Sequence, residues 1–357
     1  MRIALLAPFE ETVPPRRYGG TERIVAQLAD TLVGQGHDVT LLASGDSDTK
    51  AKLQPCVARA IRVLPAARDY FLRNALNLSG LAEAISIIQQ GDFEIIHNHF
   101  GWQFLLFSHL VSSPIISTLH GTLDKAMAPT EHYVFNQYRQ LPYVSISNAQ
   151  RRHAPRLNYI STVYNGIDVA TFSFNAKPDN YLAFLGRTNP QKGLDYAIQI
   201  AKNTGNRLVI AAKVDPLDME YFERQIKPQI DGRQIVFIGE VSHRQKVRLL
   251  RNAKALLSPI QWDEPFGLTN IEAMACGTPV IAIRRGSLPE IVSNNRTGFL
   301  CSDIEGMQQS IAKLSQINRM TCRRRVAKLF SAKSMADNYL KAYALAIQAN
   351  RQGDKNQ

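Results

Sequence analysis

At 357 residues the chain is longer than one hydrophobic core comfortably supports, so two domains of roughly 150–200 residues each are expected. Hydrophobic residues make up 45% and charged residues 20%, which excludes a disordered or fibrous chain, and no apolar run approaches the ~20 residues that span a bilayer. The formal net charge of +12 calls for an anionic partner: nucleic acid, an anionic membrane surface or a phosphorylated substrate.

The basic runs, RRR at 323–325, RR at 151–152 and RR at 16–17, are scattered along the chain. No basic ribbon interleaved with aromatics is present, so no nucleic-acid partner is expected and the other two partners are preferred. Cys56, Cys276, Cys301 and Cys322 show neither CxxC spacing nor histidines at metal spacing, and read as free thiols of a reducing cytoplasm.

The N-terminal MRIALLAPFEE is too short and too soon acidic for a signal peptide; RIALLAP (2–8) reads as a buried strand. The segment PPRRYGGTER (14–23) then places Gly19 and Gly20 between this strand and a helix over 21–36, where a backbone amide can approach a phosphate or sugar. It is not GxGxxG, and the next strand, HDVTLLAS (37–44), ends in Ser44 without a ribose-binding acid, so a nicotinamide or flavin dinucleotide is not expected. Asp46-Ser47-Asp48 spells DxD, but within the polar stretch GDSDTK it reads as a loop.

Further strands are expected at EIIHNH (94–99), PIISTLHG (114–121) and YVSISN (143–148). Continuous apolar strands separated by helices indicate a parallel sheet covered on both faces. His97 and His99 lack a third ligand at sensible spacing, so no metal site is expected there. His120 ends a strand just before Gly121; as a neutral imidazole it can donate a hydrogen bond to a substrate hydroxyl.

The linker NGIDVATFSFNAKPDN (165–180) has no helical periodicity, and beyond it the pattern restarts. Strands are expected at YLAFLGR (181–187), RLVIAAK (207–213), QIVFIGE (234–240), AKALLSP (253–259) and TPVIAIR (278–284), with a helix at GLDYAIQIAKNTG (193–205). The expected architecture is α/β, with two Rossmann-like parallel sheets and a ligand in the cleft between them, beyond the strands' carboxyl ends.

Two motifs of the second half carry the chemistry. In GRTNPQKG, Arg187 and Lys192 follow a strand between Gly186 and Gly193; they are either a solvated loop or a clamp for a diphosphate whose charge grows as it leaves. In EPFGLTNIEAMACG, Thr269 and Glu272 have the spacing of a capping box, with Gly277 and Pro279 ending the helix. The box accounts for Glu272 but not for Glu264, nor for Pro265-Phe266-Gly267 ahead of a helix N-terminus able to hold an anion.

Taken together, GG before the first helix, HG after a strand, GR…KG, VFIG (236–239) and E-P-F-G-L-x-x-x-E resemble the retaining GT-B glycosyltransferases of family 4 (group 1), over nearly the whole chain. The N-terminal 13–47 is similar to bacterial group 1 enzymes of cell-surface polysaccharide pathways. The resemblance implies an acceptor-binding domain over 1–166, a nucleotide-sugar domain over 167–330, and a C-terminal helix, about 331–357, crossing back to the first. It implies that Arg187 and Lys192 hold the donor diphosphate, that Glu272 binds the ribose hydroxyls, and that Thr269 with neighbouring amides binds the distal phosphate. Glu264, with the amides of Phe266, Gly267 and Leu268, would bind the donor sugar, and His120 would contact it near its primary hydroxyl. Gly20 would let the first loop reach phosphate and acceptor, and the base would lie near Glu240 and Val241. Lys213, where relatives carry small residues, is either a further phosphate or acceptor contact or a solvated strand end.

The implied function is transfer of a hexosyl group, glucose from UDP-glucose, to a sugar or lipid-linked acceptor with retention of configuration, without a metal or other cofactor. The enzyme would be cytoplasmic, with peripheral contact to an anionic membrane. The alternatives are an epimerase or hydrolase of the same architecture, or a non-catalytic nucleotide-binding protein. A retaining hydrolase would need two carboxyls about 5 Å apart flanking the bond.

Overall fold

The computed structural model describes residues 1–16 and 19–354. Arg17, of the pair at 16–17, lies outside the described residues. Contacts separate the chain into unit 1, Met1–Gly166 with Ala332–Gln357, and unit 2, Ile167–Ser331.

Unit 1 holds β1 (Arg2–Leu6), β2 (Asp38–Ser44), β3 (Lys52–Val57), β4 (Ile95–Asn98), β5 (Ile115–Leu119), β6 (Tyr143–Ser145) and β7 (Tyr159–Thr162), in the order β3-β2-β1-β4-β5-β6-β7. Unit 2 holds β8 (Leu182–Arg187), β9 (Leu208–Lys213), β10 (Ile235–Phe237), β11 (Ala255–Ser258), β12 (Val280–Ile283) and β13 (Gly298–Cys301), in the order β10-β9-β8-β11-β12-β13. Every strand pairing in both sheets is parallel. The reason lies in the strands themselves: Ile3–Leu6 and Val280–Ala282 are fully buried on both faces, which only a sheet covered on both sides by helices allows.

In each sheet the chain builds outward from a first strand, returns, and builds out on the other side. The switch points fall between β1 and β4 and between β8 and β11. The loops that diverge there leave a crevice at the carboxyl ends of the strands.

The Ala332–Asp354 helix packs on the Gly20–Gly34 helix and on β5 and β7 of unit 1. Its Tyr339 and Tyr343 are completely buried. Tyr343 Oη lies 2.8 Å from His97 Nδ1, and Tyr339 Oη 3.0 Å from Thr118 Oγ1, which is 2.7 Å from His97 Nε2. His97 is therefore a satisfied core histidine. Among the described residues no group of His, Cys, Asp or Glu is arranged to hold a metal, and no helix is long and apolar enough to cross a membrane.

Unit 2 is stapled by arginines. The Arg319 guanidinium, 9% exposed, donates to the carbonyls of Asn175 (2.7 Å), Ala253 (2.9 Å) and Arg251 (2.8 Å) and to Thr278 Oγ1 (2.8 Å). Arg323 donates to the carbonyls of Phe172, Ala275 and Val169, and Arg325 to those of Ile291 and Glu290. Two members of the RRR run thus serve carbonyl groups inside the unit. Replacing Arg319 with Met strands four acceptors, and a loss of roughly 3 kcal/mol or more in unfolding free energy is expected by urea titration. Arg319→Lys, which keeps the charge but not the planar fork, should recover only part of it.

Candidate active site

β8 ends in Arg187, and β9 beside it ends in Lys213; the two are register partners, so two cations leave the sheet side by side. After Arg187 the chain turns tightly: Asn189 Oδ1 caps the single turn Pro190–Lys192 by accepting from Gln191 N at 2.8 Å. Gly193 follows in the left-handed region (φ 69), where a Cβ would lie 2.1 Å from the carbonyl oxygen of Pro259. Only glycine satisfies both demands, and the close approach docks the loop on the segment that leaves β11. Gln261 N donates to Gln191 O at 2.8 Å across the same junction.

That junction places Lys192 Nζ on Glu264 Oε2, the two side chains 20% and 12% exposed, with the ammonium 5.4 Å above the Trp262 ring. The cation from β8 and the acid from β11 meet at the switch point of the sheet. Glu264 is held from behind by the loop after β12: Ser287 N donates to Glu264 O (3.0 Å), Ser287 Oγ to Phe266 O (2.7 Å), and Gly286 N to Asp263 Oδ1 (3.1 Å). Phe266 turns its ring inward against Phe330, 5.9 Å between centroids. At positions 266–268 the backbone, not the Phe266 side chain, is what the site can use.

The Leu268–Ala275 helix starts differently from the capping-box expectation. Its N-cap is Gly267, in the left-handed conformation (φ 83), with no side-chain cap. Thr269 is therefore already inside the first turn, where its hydroxyl cannot serve as the cap. Glu272 does not return to Thr269; its Oε1 is taken by Lys246 Nζ, from the His243–Asn252 helix, with the pair 2% and 9% exposed at the side chain. At the other end Gly277 (φ 89) ends the helix as expected: Gly277 N donates to Met274 O and Thr278 N to Ala273 O.

Lys246 is the residue that sequence reasoning missed. It lies in SHRQKVRLL, an amphipathic helix in which a lysine reads as part of a solvated face, and no local signal marks it as buried. Glu240 is exposed and Val241 half-buried in the loop between β10 and the same helix. A cavity of about 800 Å3 lined by Phe174, Lys254, Pro279 and Met320 lies at the opposite end of the strands, where β11 and β12 begin, and none of the expected site residues lines it.

The remaining expected residues are in unit 1. Gly19 is extended, and a Cβ there would lie 2.7 Å from Pro15 Cβ and 2.9 Å from Glu22 Oε2, so loop packing alone demands glycine. Gly20 is exposed as the first residue of its helix. His120 follows β5, and its neighbours Leu119 and Gly121 are bridged by one side chain: Gln150 Nε2 donates to both carbonyls at 2.8 Å. His120 Nε2 is 2.8 Å from Nδ1 of His99. Burial pushes the His120 imidazole down to about 4, and burial with the neighbouring imidazoles holds His97 and His99 well below the usual range. All three are neutral near pH 7. In the DxD loop, Asp46 Oδ1 accepts from Ala60 N (2.9 Å) and Ser47 Oγ from Val13 N (3.0 Å), a local tether.

Residues 18–171 match the family described as Glycosyltransferase Family 4, and residues 170–327 that described as Glycosyl transferases group 1. The glycogen synthase of Mycobacterium tuberculosis is 26% identical over 406 residues, covering 99% of this chain and 96% of that protein. The phosphatidyl-myo-inositol mannosyltransferase of Mycolicibacterium smegmatis is 25% identical over 334 residues, covering 87% and 84%. The crystal structure of Anabaena HepE in complex with UDP-glucose shares the fold at a TM-score of 0.74 and 15% identity, covering 96% of this chain and 99% of that one. Two Rossmann-like parallel sheets and these likenesses define a glycosyltransferase of the GT-B fold. Within that class, the chain belongs to the group 1 glycosyltransferases of family 4.

Two measurements check the electrostatics. Lys246→Met leaves a buried carboxylate without its counter-ion and is expected to cost about 3–5 kcal/mol in urea unfolding, most of it recovered in the double variant Lys246→Met/Glu272→Leu. For the histidines the folded state binds its protons later than the unfolded chain, so stability falls as pH drops from about 6.5 towards 4. The slope is about 1.4 kcal/mol per pH unit for each histidine. His120→Asn should remove one such contribution from the pH series.

Proposed function

We propose that this glycosyltransferase moves glucose from UDP-glucose to a saccharide or lipid-linked saccharide acceptor in polysaccharide biosynthesis, with retention of configuration and without a metal. The observation that carries the reading is the convergence of Arg187, Lys192 and Glu264 on the switch point between β8 and β11. Beside it the Leu268–Ala275 helix begins without a side-chain cap. Cations and an uncapped helix N-terminus suit a diphosphate, and a carboxylate suits sugar hydroxyls. The UDP-glucose bound by HepE supports this donor.

In this reading the diphosphate displaces Glu264 from Lys192, which frees the carboxylate for the sugar hydroxyls. Thr269 with the neighbouring amides binds the distal phosphate, the amides of Phe266, Gly267 and Leu268 join Glu264 on the sugar, Glu272 takes the ribose, and the base lies against Glu240 and Val241. Lys213, beside Arg187, adds to the positive field. In unit 1, neutral His120 donates to a sugar hydroxyl, and Gly20, exposed at the start of its helix, is the part open to phosphate or acceptor.

The bond from the anomeric carbon to the phosphate oxygen breaks through an oxocarbenium-like state. The acceptor oxygen attacks from the same face, and its proton passes to the departing phosphate oxygen. Arg187 and Lys192 stabilise the charge that develops there. The cations and helix dipole together supply the charge neutralisation that a divalent ion supplies elsewhere.

A lipid-linked acceptor at an anionic membrane is supported by one stretch of unit 1. Val63, Tyr70, Phe71, Leu72 and Leu78 are exposed within one stretch, Phe71 by 80%, and the exposed Arg59 and Arg68 lie in the same stretch. Aromatic side chains beside arginines match the headgroup boundary of an anionic bilayer. The relative named for mannosyl transfer to phosphatidyl-myo-inositol supports the same class of acceptor.

Calorimetric titration with UDP, in EDTA and then with magnesium, tests the donor site. Micromolar affinity that needs no metal is expected, falling sharply in Glu272→Ala, with Glu272→Gln as the variant gentler on Lys246. Should UDP not bind, GDP and ADP are titrated next; no binding of any of the three would overturn the nucleotide-sugar reading. With UDP-glucose and a competent acceptor, Lys192→Ala is expected to lower kcat by roughly 100- to 1000-fold, and NMR of the product to show the donor's anomeric configuration. Partition onto phosphatidylglycerol vesicles should fall in Phe71→Ser and at high salt; unchanged partition would remove the membrane reading.

A further inference from the structure

We propose that Lys246 is a positioning residue for nucleotide recognition: its ammonium aims the buried Glu272 carboxylate and thereby sets the enzyme's discrimination between ribose and 2′-deoxyribose donors. The inference rests on the reading of Glu272 as the ribose ligand and extends it to a residue on a different helix.

Glu272 projects from the Leu268–Ala275 helix and Lys246 from the first turns of the His243–Asn252 helix, and they meet through Lys246 Nζ and Glu272 Oε1. Both residues are buried, Glu272 at 2% and Lys246 at 7% exposure. A carboxylate that deep in the protein is tolerable only beside a counter-ion, and here one oxygen is bonded to it. Lys246 is itself restrained. Its ammonium lies 5.5 Å from the centre of the Phe172 ring, which is 3% exposed, and His243 meets the other part of that ring edge-on at 5.1 Å. His243 Nε2 also lies 3.2 Å from Thr171 O, tying the helix start to the chain that enters unit 2. The helix start is fixed further by a capping box between Ser242 and Gln245.

The consequence is geometric. The bond from Lys246 Nζ to Oε1 restrains the rotation of the carboxylate that, in this reading, meets the ribose diol. A vicinal diol offers two donors; a 2′-deoxyribose offers one. The preference between them depends on how firmly the accepting oxygens are held. A carboxylate released from Lys246 would lose that restraint, and with it the preference.

Lys246→Arg and Lys246→Gln are compared with the wild-type enzyme by calorimetric titration with UDP and 2′-deoxy-UDP, or with the ribo- and deoxyribo- forms of whichever of GDP and ADP binds. The ratio of the two affinities is the readout, because both share the same folded fraction and a variant that is merely less stable leaves it unmoved. The wild type is expected to prefer the ribonucleotide by roughly 10- to 100-fold, the worth of hydrogen bonds to a charged group. Lys246→Arg should keep most of that preference. In Lys246→Gln the ratio should fall to within about threefold of unity, with affinity for UDP reduced to the wild type's level for 2′-deoxy-UDP. A wild-type ratio surviving in Lys246→Gln would reduce Lys246 to a stabilising counter-ion and overturn the proposal. A wild type that binds both nucleotides equally would overturn the ribose reading of Glu272, and this proposal with it, whatever the variants do.

Discussion

The constraint from which the rest follows is that all the strands within a sheet run parallel. A parallel sheet has one end where every strand stops, and the loops leaving that end must part wherever the strand order reverses. In unit 2 the reversal lies between β8 and β11, and Arg187 and Lys192 leave one strand while Glu264 leaves the other. These residues are 72 or more positions apart in sequence. Their meeting is a property of topology, made close by the approach of Gly193 to Pro259. In unit 1 the corresponding reversal lies between β1 and β4. Gly19 and His99 follow those two strands, and His120 follows the neighbouring β5.

Charge is distributed with the same economy. A chain of net charge +12 looks, in one dimension, as if it must meet a polyanion. In three dimensions Arg319, Arg323 and Arg325 donate to carbonyls where helices and loops leave acceptors over, and Lys192 and Lys246 each neutralise a half-buried or buried acid. Guanidinium groups suit the first task because their forked donors reach several carbonyls at once. What remains at the surface includes Arg59 and Arg68, beside the exposed Tyr70 and Phe71.

The central strands of both sheets were legible in the sequence because burial on both faces demands unbroken apolar runs. Three of the four edge strands were not. β3 (KLQPCV), β7 (YIST) and β13 (GFLC) each pair on one side only; β3 carries a proline and alternating polar residues, β7 is half-buried throughout, and none forms a continuous apolar run. Of the candidate residues, local motifs announce GR…KG, the E-x7-E pair and HG, and the structure brings Lys192 of the first onto Glu264 of the second. What sets their partners was hidden, because Lys246 and Gln150 act through contacts with residues 26 and about 30 positions away. Nothing local distinguishes such a lysine from a solvated one.

The capping box shows how a correct local rule is overruled. Thr269 and Glu272 have the right spacing, and in an isolated helix they would satisfy each other. Here Gly267 adopts a left-handed conformation that begins the helix two residues earlier, and the buried Lys246 offers Glu272 a full positive charge in place of a backbone amide. A charge-assisted bond in a buried setting outweighs a single cap, which contributes about 1 kcal/mol. The diversion has a chemical consequence. With its acid turned away and glycine as its N-cap, the Leu268–Ala275 helix begins without a side-chain cap. Two contributions thus displace the box together: Gly267 moves the helix start away from Thr269, and Lys246 gives Glu272 the partner that the box would have supplied.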